Sequence, residues 1–298
     1  MTSKKNLTVI IVSFASNDVI FNCIDSIDND LNIVVIENSN NLNLKKKLEQ
    51  TYKNVSCFLN SSNSGMGAGN NLGLSKINTE YALILNPDVI LESHTISELV
   101  NASKEIDKFS ILAPIHSNEN YPNYKIVKGL ENDNPNFLNV ISVDGYAMLL
   151  NLKRIKNALN LIDYNFFDEN IFMYLENDDL CKRLIKKKEK IFIVKSSKIN
   201  HLGAKGVSQV FKNQIELSRN WHWSWSRYYY KKKHFGFLNA FLSETPRAIN
   251  SLIKIFVYSL INQNKKKIYI FRFQGFLNAL LGKSSSYRPK IDLNNLKN

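Results

Sequence analysis

Residues 8–39 read TVIIVSFASNDVIFNCIDSIDNDLNIVVIENS, and this stretch decides the fold. A short apolar run at 8–13 ends in Ser13-Phe14. Helically spaced apolar residues follow at 19–27, and a second apolar run at 33–36 ends in Glu37-Asn38-Ser39. Strand, helix and strand at this spacing describe a unit whose two strands lie parallel beneath the helix. Outward from it the alternation continues. Strands are expected at 55–59, 81–85 and 111–113, and helices at 44–52, 69–77 and 95–104. The expected class is α/β, a Rossmann-like, mostly parallel sheet with helices on both faces. In such sheets ligands bind at the carboxyl ends of the strands, so the residues just after each strand are the candidates for function.

A chain of 298 residues suits one α/β domain of about 200 residues plus an extension. Its 44% hydrophobic and 11% aromatic content exclude disorder throughout. Three distant cysteines, Cys23, Cys57 and Cys181, form neither a disulfide framework nor a zinc knuckle and suit a reducing compartment. The first apolar run is too short for the core of a signal peptide, and no stretch reaches the length of a membrane-spanning helix. The net charge of +13 is unevenly placed: 17 Lys and Arg against three acids from Lys205 onward, 22 against 23 before it. A near-neutral body at 1–208 and a cationic extension at 209–298 are therefore expected.

Four strand-end segments carry candidate chemistry. Ser13 closes the first strand. Glu37 and Asn38 close the second, where an acid accepts hydrogen bonds from a ribose or base, or else caps the next helix. Asn63-Ser64-Gly65-Met66-Gly67-Ala68-Gly69-Asn70 lets the backbone approach a ligand at a helix N-terminus, or serves as a plain turn and cap. It is not a dinucleotide fingerprint, because Asn70 takes the third glycine position and the segment follows the third strand. Asn86-Pro87-Asp88 ends the fourth strand. Pro87 forbids a continuing central strand, and Asp88 is expected in an exposed turn, where a carboxylate suits a divalent cation.

The densest cluster is FDENIFMYLENDDLCKRL at 167–184. On a helix Glu176 and Asp179 share a face, as do Asp179 and Arg183. Such acids serve as a general base toward an alcohol or favour a helix N-terminus electrostatically. An EF-hand reading from Asp163 fails, since Phe167 and Asp168 stand where an oxygen ligand and a glycine are required. Downstream, HLGAKGVS at 201–208 sets His201 before a glycine-containing loop that could close over a ligand.

In this order VIIVSF, IENSN, NSGMGAGNNLGL, LILNPDV, FDENIFMYLENDDLCKRL and HLGAKGVS resemble family 2 glycosyltransferases of the rhamnosyltransferase-like, bacterial cell-surface polysaccharide type, over residues 7–235. The resemblance implies the nucleotide-sugar-binding GT-A fold. It implies transfer of a sugar from a nucleoside-diphosphate donor, dTDP-rhamnose or a UDP-sugar, to a hydroxyl of a lipid-linked or polysaccharide acceptor, with inversion. Ser13, Glu37 and Asn38 would contact the nucleoside, while Asn63, Gly65 and Asn70 shape the nucleotide pocket. Asp88 would hold Mg²⁺ or Mn²⁺ as the last acid of an Asp-x-Asp motif whose first position is Asn86 here. His201 would be the second ligand to metal or diphosphate. Glu176 would be the catalytic base, with Asp178 and Asp179 as alternatives, because the usual Glu-Asp pair reads Glu176-Asn177. The two asparagines leave a non-catalytic nucleotide-sugar-binding paralogue as the other function class.

The extension combines Trp221, Trp223, Trp225 and Tyr228–Tyr230 with Lys231–Lys233, then apolar segments at 248–261 and 268–281 separated by Lys265–Lys267. Apolar helices bracketed by lysines and interfacial aromatics suit an anionic membrane surface. Packing on the body or in a homodimer is the alternative. No nucleic-acid module accompanies the charge, so no nucleic-acid partner is expected. The expected location is cytoplasmic, peripheral to the inner face of the cytoplasmic membrane.

Overall fold

The structure, a computed structural model, describes residues 4–126, 135–203 and 205–292. Ala204, in the 201–208 motif, and residues 127–134, within the span of the family resemblance, lie outside the described residues. The chain divides into two compact units, Met1–Asp168 with Asn177–Ser208, and Glu169–Glu176 with Gln209–Asn298.

The first unit opens with β1 (Leu7–Ser13), α1 (Ile20–Asp25), β2 (Asn32–Glu37), α2 (Leu42–Thr51), β3 (Val55–Leu59), α3 (Met66–Leu74) and β4 (Tyr81–Leu85). It continues through β5 (Val89–Leu91), α4 (Thr95–Glu105), β6 (Ile111–His116), β7 (Tyr124–Lys125), β8 (Phe137–Val140), β9 (Ser142–Val143), β10 (Ala147–Asn151) and α5 (Leu152–Leu159). It ends with α6 (Glu176–Lys186), whose first residue groups with the second unit, and β11 (Ile191–His201). Among the described residues nine strands form one sheet, in the path β3-β2-β1-β4-β10-β6-β11-β5 with β8 also on β11. β1 to β4, β6 and β11 share one direction, and β10, β5 and β8 oppose it. The opposed β10 separates β4 from β6, so the sheet is mixed at its middle yet mostly parallel.

Strand alternation makes two cores. Val9 and Ile11 of β1, with Leu83 and Leu85 of β4, face α1, α2 and α4. Ile10, Val12, Ala82 and Ile84 face α3, α5 and α6. Because successive side chains point to opposite faces, an uninterrupted apolar strand is the sequence form of a sheet covered on both sides. Two glycines fix how closely α3 lies on β1. A Cβ at Gly73 would stand 2.5 Å from Ile10 Cγ2, and one at Gly69 2.8 Å from Val12 Cγ1. Helix and strand meet there backbone to side chain, with no room for another methyl group.

The second unit contains α7 (Lys212–Phe235), α8 (Phe237–Ile261) and α9 (Gln263–Leu280), joined by the single residues Gly236 and Asn262. Trp221, Trp225 and Tyr228 pack with Ala240, Ala248, Phe276 and Ala279. Trp221 and Trp225 are thus core residues rather than the interfacial ones expected from the sequence, because each presents an apolar body to α9 or the following segment. Trp225 Nε1 donates to the Lys283 carbonyl at 3.0 Å. The apolar segment at 248–261 is the second half of a longer helix that accommodates Pro246 in its interior. Glu244, buried on α8, accepts from Arg227 at 3.0 Å and Lys231 at 2.6 Å, which compensates an otherwise costly buried charge. His222 bonds Ser285 and the Tyr287 carbonyl, both at 2.9 Å. Burial pushes its pKa down to about 3, so it stays neutral.

Two substitutions test this packing. Asn71 of α3 donates to the Phe167 carbonyl and accepts from the Phe167 N–H, both at 2.9 Å in a buried setting. Asn71→Leu strands both backbone groups and is expected to cost about 2–4 kcal/mol in chemical denaturation; a loss under about 0.5 kcal/mol would contradict the paired arrangement. Gly275→Ala sets two effects against each other. Helix propensity alone would stabilise by about 1 kcal/mol. A Cβ at Gly275 would, however, lie 2.1 Å from the Trp221 carbonyl oxygen. Overpacking costs about 1–3 kcal/mol, so a lowered thermal midpoint is expected, and a raised one would refute the close crossing of α7 and α9.

Candidate functional site

The first unit's candidate site lies at the carboxyl ends of β1 and β4. β2 flanks β1 on one side and β4 on the other, the switch point at which open α/β sheets hold ligands. β4 ends at Leu85, Pro87 interrupts the ladder, and β5 resumes at Val89. Asp88 falls between them. It is 4% exposed, which corrects the expectation of an exposed turn. The physical reason is β11, which returns antiparallel to β5 with His201 opposite Val89 and covers the turn from a distant part of the sequence.

That register sets His201 Nε2 3.4 Å from Asp88 Oδ1. Tyr146 stacks on the imidazole at 4.2 Å between ring centroids, while the Leu202 N–H donates to the Asp88 carbonyl at 3.0 Å. The loop after His201 then folds back across the end of β1. Ser16 Oγ donates to the Gly206 carbonyl at 2.6 Å, and the Ser208 N–H donates to the Ala15 carbonyl at 2.8 Å. Gly206 lies against the Asp88 carboxylate, where a Cβ would come within 3.3 Å of it. Burial works against the charged form of Asp88. The His201 bond and charge, with backbone N–H groups of Asp88 and Gly206, outweigh it and hold the carboxyl below its ordinary pKa.

In the first unit, Ser13 Oγ, Asn17 Oδ1, Asn70 Oδ1 and Asn86 Oδ1 are buried with no hydrogen-bond partner among the described residues. Buried polar atoms are normally satisfied, so Ser13, the last residue of β1, Asn86, just past β4, and Asn70, on α3, are candidates for a polar ligand. Asn38 and Asn63 instead build the wall. Asn38 Nδ2 donates to the Gly65 carbonyl at 3.1 Å and its Oδ1 accepts from Asn60, while Asn63 Oδ1 accepts from the Gly65 N–H at 3.1 Å. Gly65 sits at φ 89°, a left-handed position that glycine adopts without strain, and starts α3. Glu37 is fully buried, and its carboxylate accepts from the Ser39 N–H at 3.1 Å and the Asn41 N–H at 2.6 Å. Burial raises its pKa, with the bonds from Ser39 and Asn41 opposing.

The acids of α6 have separate environments. Asp179 is fully buried and accepts from Arg183 Nε at 2.8 Å. Asp178 accepts from Lys125 and Ser142, each at 2.6 Å. Asn177 donates to the Val143 carbonyl at 2.7 Å and packs against Gly145. Glu176 is buried at the first position of the helix and groups with the second unit. Asn177, with the Asn123 carbonyl that accepts from the Asp144 N–H, thereby braces the 143–146 turn, which carries a carboxylate that no sequence motif singled out. Asp144 is half-buried, and its pKa is raised by burial, lowered by Lys125, raised by Asp178 and lowered by His201. Its only sequence signal was an Asp-Gly turn between two apolar runs.

The Asp88 and His201 donors fit a divalent cation. Neighbouring ligand atoms on an octahedral ion with bonds near 2.1 Å lie on the order of 3 Å apart, close to the observed spacing. Carboxylate oxygen with imidazole nitrogen also suits Mn²⁺. Among the described residues no group of three or more His, Cys, Asp or Glu converges as a metal cage. An ion here would complete its shell from ligand oxygens and water, as such ions do at phosphate sites.

The sequence and fold also resemble known proteins. The low-salt glycan biosynthesis hexosyltransferase Agl10 of Haloferax volcanii is 26% identical over 200 residues, covering 61% of this chain and 62% of that protein. The chain thus spans less than two thirds of that relative. Among solved structures, GalNAc-T7 with UDP, GalNAc and Mn²⁺ superposes with a TM-score of 0.56 at 14% identity, over 80% of this chain and 54% of that one. The mannosyltransferase PcManGT from Pyrobaculum calidifontis, in complex with GDP-Man and Mn²⁺, gives 0.56 at 10% identity, over 93% and 88%. These likenesses establish the GT-A architecture. The family model described as Glycosyl transferase family 2 matches residues 8–164, more than half of the sequence, and the chain belongs to that family.

Proposed function

We propose that this chain transfers a sugar from a nucleoside-diphosphate donor to a hydroxyl of a lipid-linked or polysaccharide acceptor, with inversion and with help from Mg²⁺ or Mn²⁺. The observation that carries the reading is the Asp88 and His201 pair, 3.4 Å apart past the end of β4, with the unpartnered oxygens of Ser13, Asn70 and Asn86 buried in the same unit. The two structural neighbours hold Mn²⁺ with UDP and GalNAc or with GDP-Man, which supports a diphosphate ligand at this crevice. The donor favoured by the sequence motifs is dTDP-rhamnose or a UDP-sugar, the enzyme being rhamnosyltransferase-like and serving cell-surface polysaccharide synthesis.

Each residue then has a task. Ser13 and Asn70 offer hydrogen bonds to the nucleoside and the ribose-diphosphate region. Asn38, Asn63 and Gly65 keep the glycine-rich loop close to them. Glu37, saturated by Ser39 and Asn41, acts on the nucleoside through the turn it holds. Asp88 and His201 would hold the cation, with Asn86 contributing a neutral oxygen. Bound there, the cation would neutralise charge developing on the departing diphosphate. Glu176 accepts the proton of the acceptor hydroxyl as that oxygen attacks the anomeric carbon. Asp144 is a competing base, favoured by its raised pKa and its electrostatic contact with His201. Asp179, buried against Arg183, and Asp178, held by Lys125 and Ser142, suit support rather than proton transfer. Work at the inner face of the cytoplasmic membrane would give the enzyme access to a lipid-linked acceptor.

The cation assignment is tested with Asp88→Asn. Transfer is expected to fall at least 100-fold, about 2.7 kcal/mol of transition-state stabilisation. Mn²⁺-dependent thermal stabilisation in the presence of nucleoside diphosphate should vanish as well; retention of both would defeat the assignment. Stability provides a second readout. The folded-state pKa of Asp88 is depressed, so its contribution is present above an unfolded value of about 3.9 and is lost as pH falls through the folded value. The stability gap between wild type and Asp88→Asn should therefore narrow on acidification below about pH 4.

The base is tested by comparing Glu176→Gln with Asp144→Asn. Glu176→Gln should abolish transfer while donor affinity stays within a few-fold, because a base acts on the acceptor. If Glu176→Gln stays active and Asp144→Asn loses transfer, Asp144 is the base. Slow release of nucleoside diphosphate from donor alone by the wild type would exclude a purely binding paralogue.

A further inference from the structure

The second unit's α8 is built the wrong way round for a helix in water. Toward its neighbours it presents Ala240, Glu244, Ala248 and Ser251, all buried. Outward it presents Leu238, Leu242, Ile249, Ile253, Phe256 and Leu260, each more than half exposed, with Phe256 at 73% and Leu260 at 79%. Their spacing puts all six on one stripe running most of the helix length, opposite the buried set. Single exposed apolar residues are ordinary, but a continuous stripe of this kind marks an interaction surface. Small residues at the helix contact and large apolar ones outside is the arrangement favoured where the outer medium is lipid.

What covers the stripe is argued from charge. One-residue links place the end of α7 at one end of α8 and the start of α9 at the other. Lys232 and Lys233 stand at the first end, Lys265 and Lys267 at the second, and all four are exposed. A second copy of the chain docked stripe to stripe would bring lysines against lysines, whether the two helices ran parallel or antiparallel. An anionic headgroup layer satisfies both ends at once while the apolar stripe enters the acyl boundary. Among the described residues no helix is long and apolar enough to cross a membrane, so the helix would lie in the surface plane.

We propose that the outward stripe of α8, flanked by Lys232–Lys233 and Lys265–Lys267, docks the protein flat on an anionic lipid surface. This gives the membrane-side working position of the proposed transferase a defined contact surface, and rests on that reading only for its purpose. The full-length protein is tested by flotation with vesicles of phosphatidylcholine and phosphatidylglycerol, and with phosphatidylcholine alone. Flotation is expected with the anionic vesicles at low salt, at least tenfold weaker binding to the neutral ones, and weakening by salt. Ile253→Glu with Phe256→Glu should abolish flotation, while the thermal midpoint and donor hydrolysis stay at wild-type values. Replacing Lys265, Lys266 and Lys267 by Gln leaves the stripe intact and should lower partitioning roughly 10- to 100-fold. Equal binding to both vesicle types, or no flotation by the wild type, would overturn the proposal. So would a dimer in light scattering that the glutamate variant splits without changing flotation. Donor hydrolysis is read separately, so failure of the surface and failure of the transferase reading remain distinguishable.

Discussion

Everything at the candidate site depends on one buried charge. Asp88 lies where a carboxylate is costly, and the fold compensates it from sequence more than a hundred residues away. The register of β11 on β5 delivers His201, and the loop beyond it brings the Gly206 N–H. The same loop bonds to Ser16 and Ala15, so compensation of Asp88 also closes the end of β1. A Cβ at Gly206 would meet the carboxylate at 3.3 Å, so this position leaves little room for a side chain. Substituting Asp88 therefore disturbs a structural joint along with a proposed cation ligand, and its effects on stability and activity have to be read together.

The sequence made the first half of the sheet legible because its physics is local. Strands β1 to β4 are short apolar runs between amphipathic helices, and each expected run coincides with an observed strand to within about two residues. Farther along, α4 and β6 fell where the sequence placed a helix and a strand, but β5 and β7 to β11 were not legible. β5 and β7 to β9 have four residues or fewer, and β10 is held by pairing with β4 and β6 rather than by its own pattern. For the same reason Asp144 was missed. Its turn is braced by Asn177 and Asn123, from opposite sides of the sequence, and no local spacing reports such a contact. The exposure of Asp88 was misjudged likewise, because Pro87 correctly indicated a turn but nothing nearby indicated the strand that covers it.

The extension was legible in charge and misleading in detail. Its tryptophans read as interfacial, yet two are core residues that hold the helices together. The outward apolar surface belongs to α8, whose residues before Pro246 had not been counted as part of the helix. Composition could not separate the two faces of that helix. The separation follows from contacts: small residues on one side allow close approach to α7 and α9, and Gly275 does the same from α9. Glu244, one of three acids in this region, is spent inside the unit against Arg227 and Lys231. The outward charge is accordingly more one-sided than the composition suggests.

The division of charge bears on how a diphosphate would be met. Residues before Lys205 carry 22 basic and 23 acidic side chains, so the catalytic body has no net attraction for an anionic donor. Within it Lys125 is engaged by Asp178, Arg183 by Asp179, and Arg154 by Glu189. These cations are committed to holding the fold. In the proposed reading, Asp88, held ionised by His201 and backbone N–H groups, would take a divalent cation together with the donor diphosphate. In that reading donor affinity would scale with divalent-ion occupancy, and the oxygens of Ser13, Asn70 and Asn86 would accept from nucleoside or sugar hydroxyls rather than from the diphosphate.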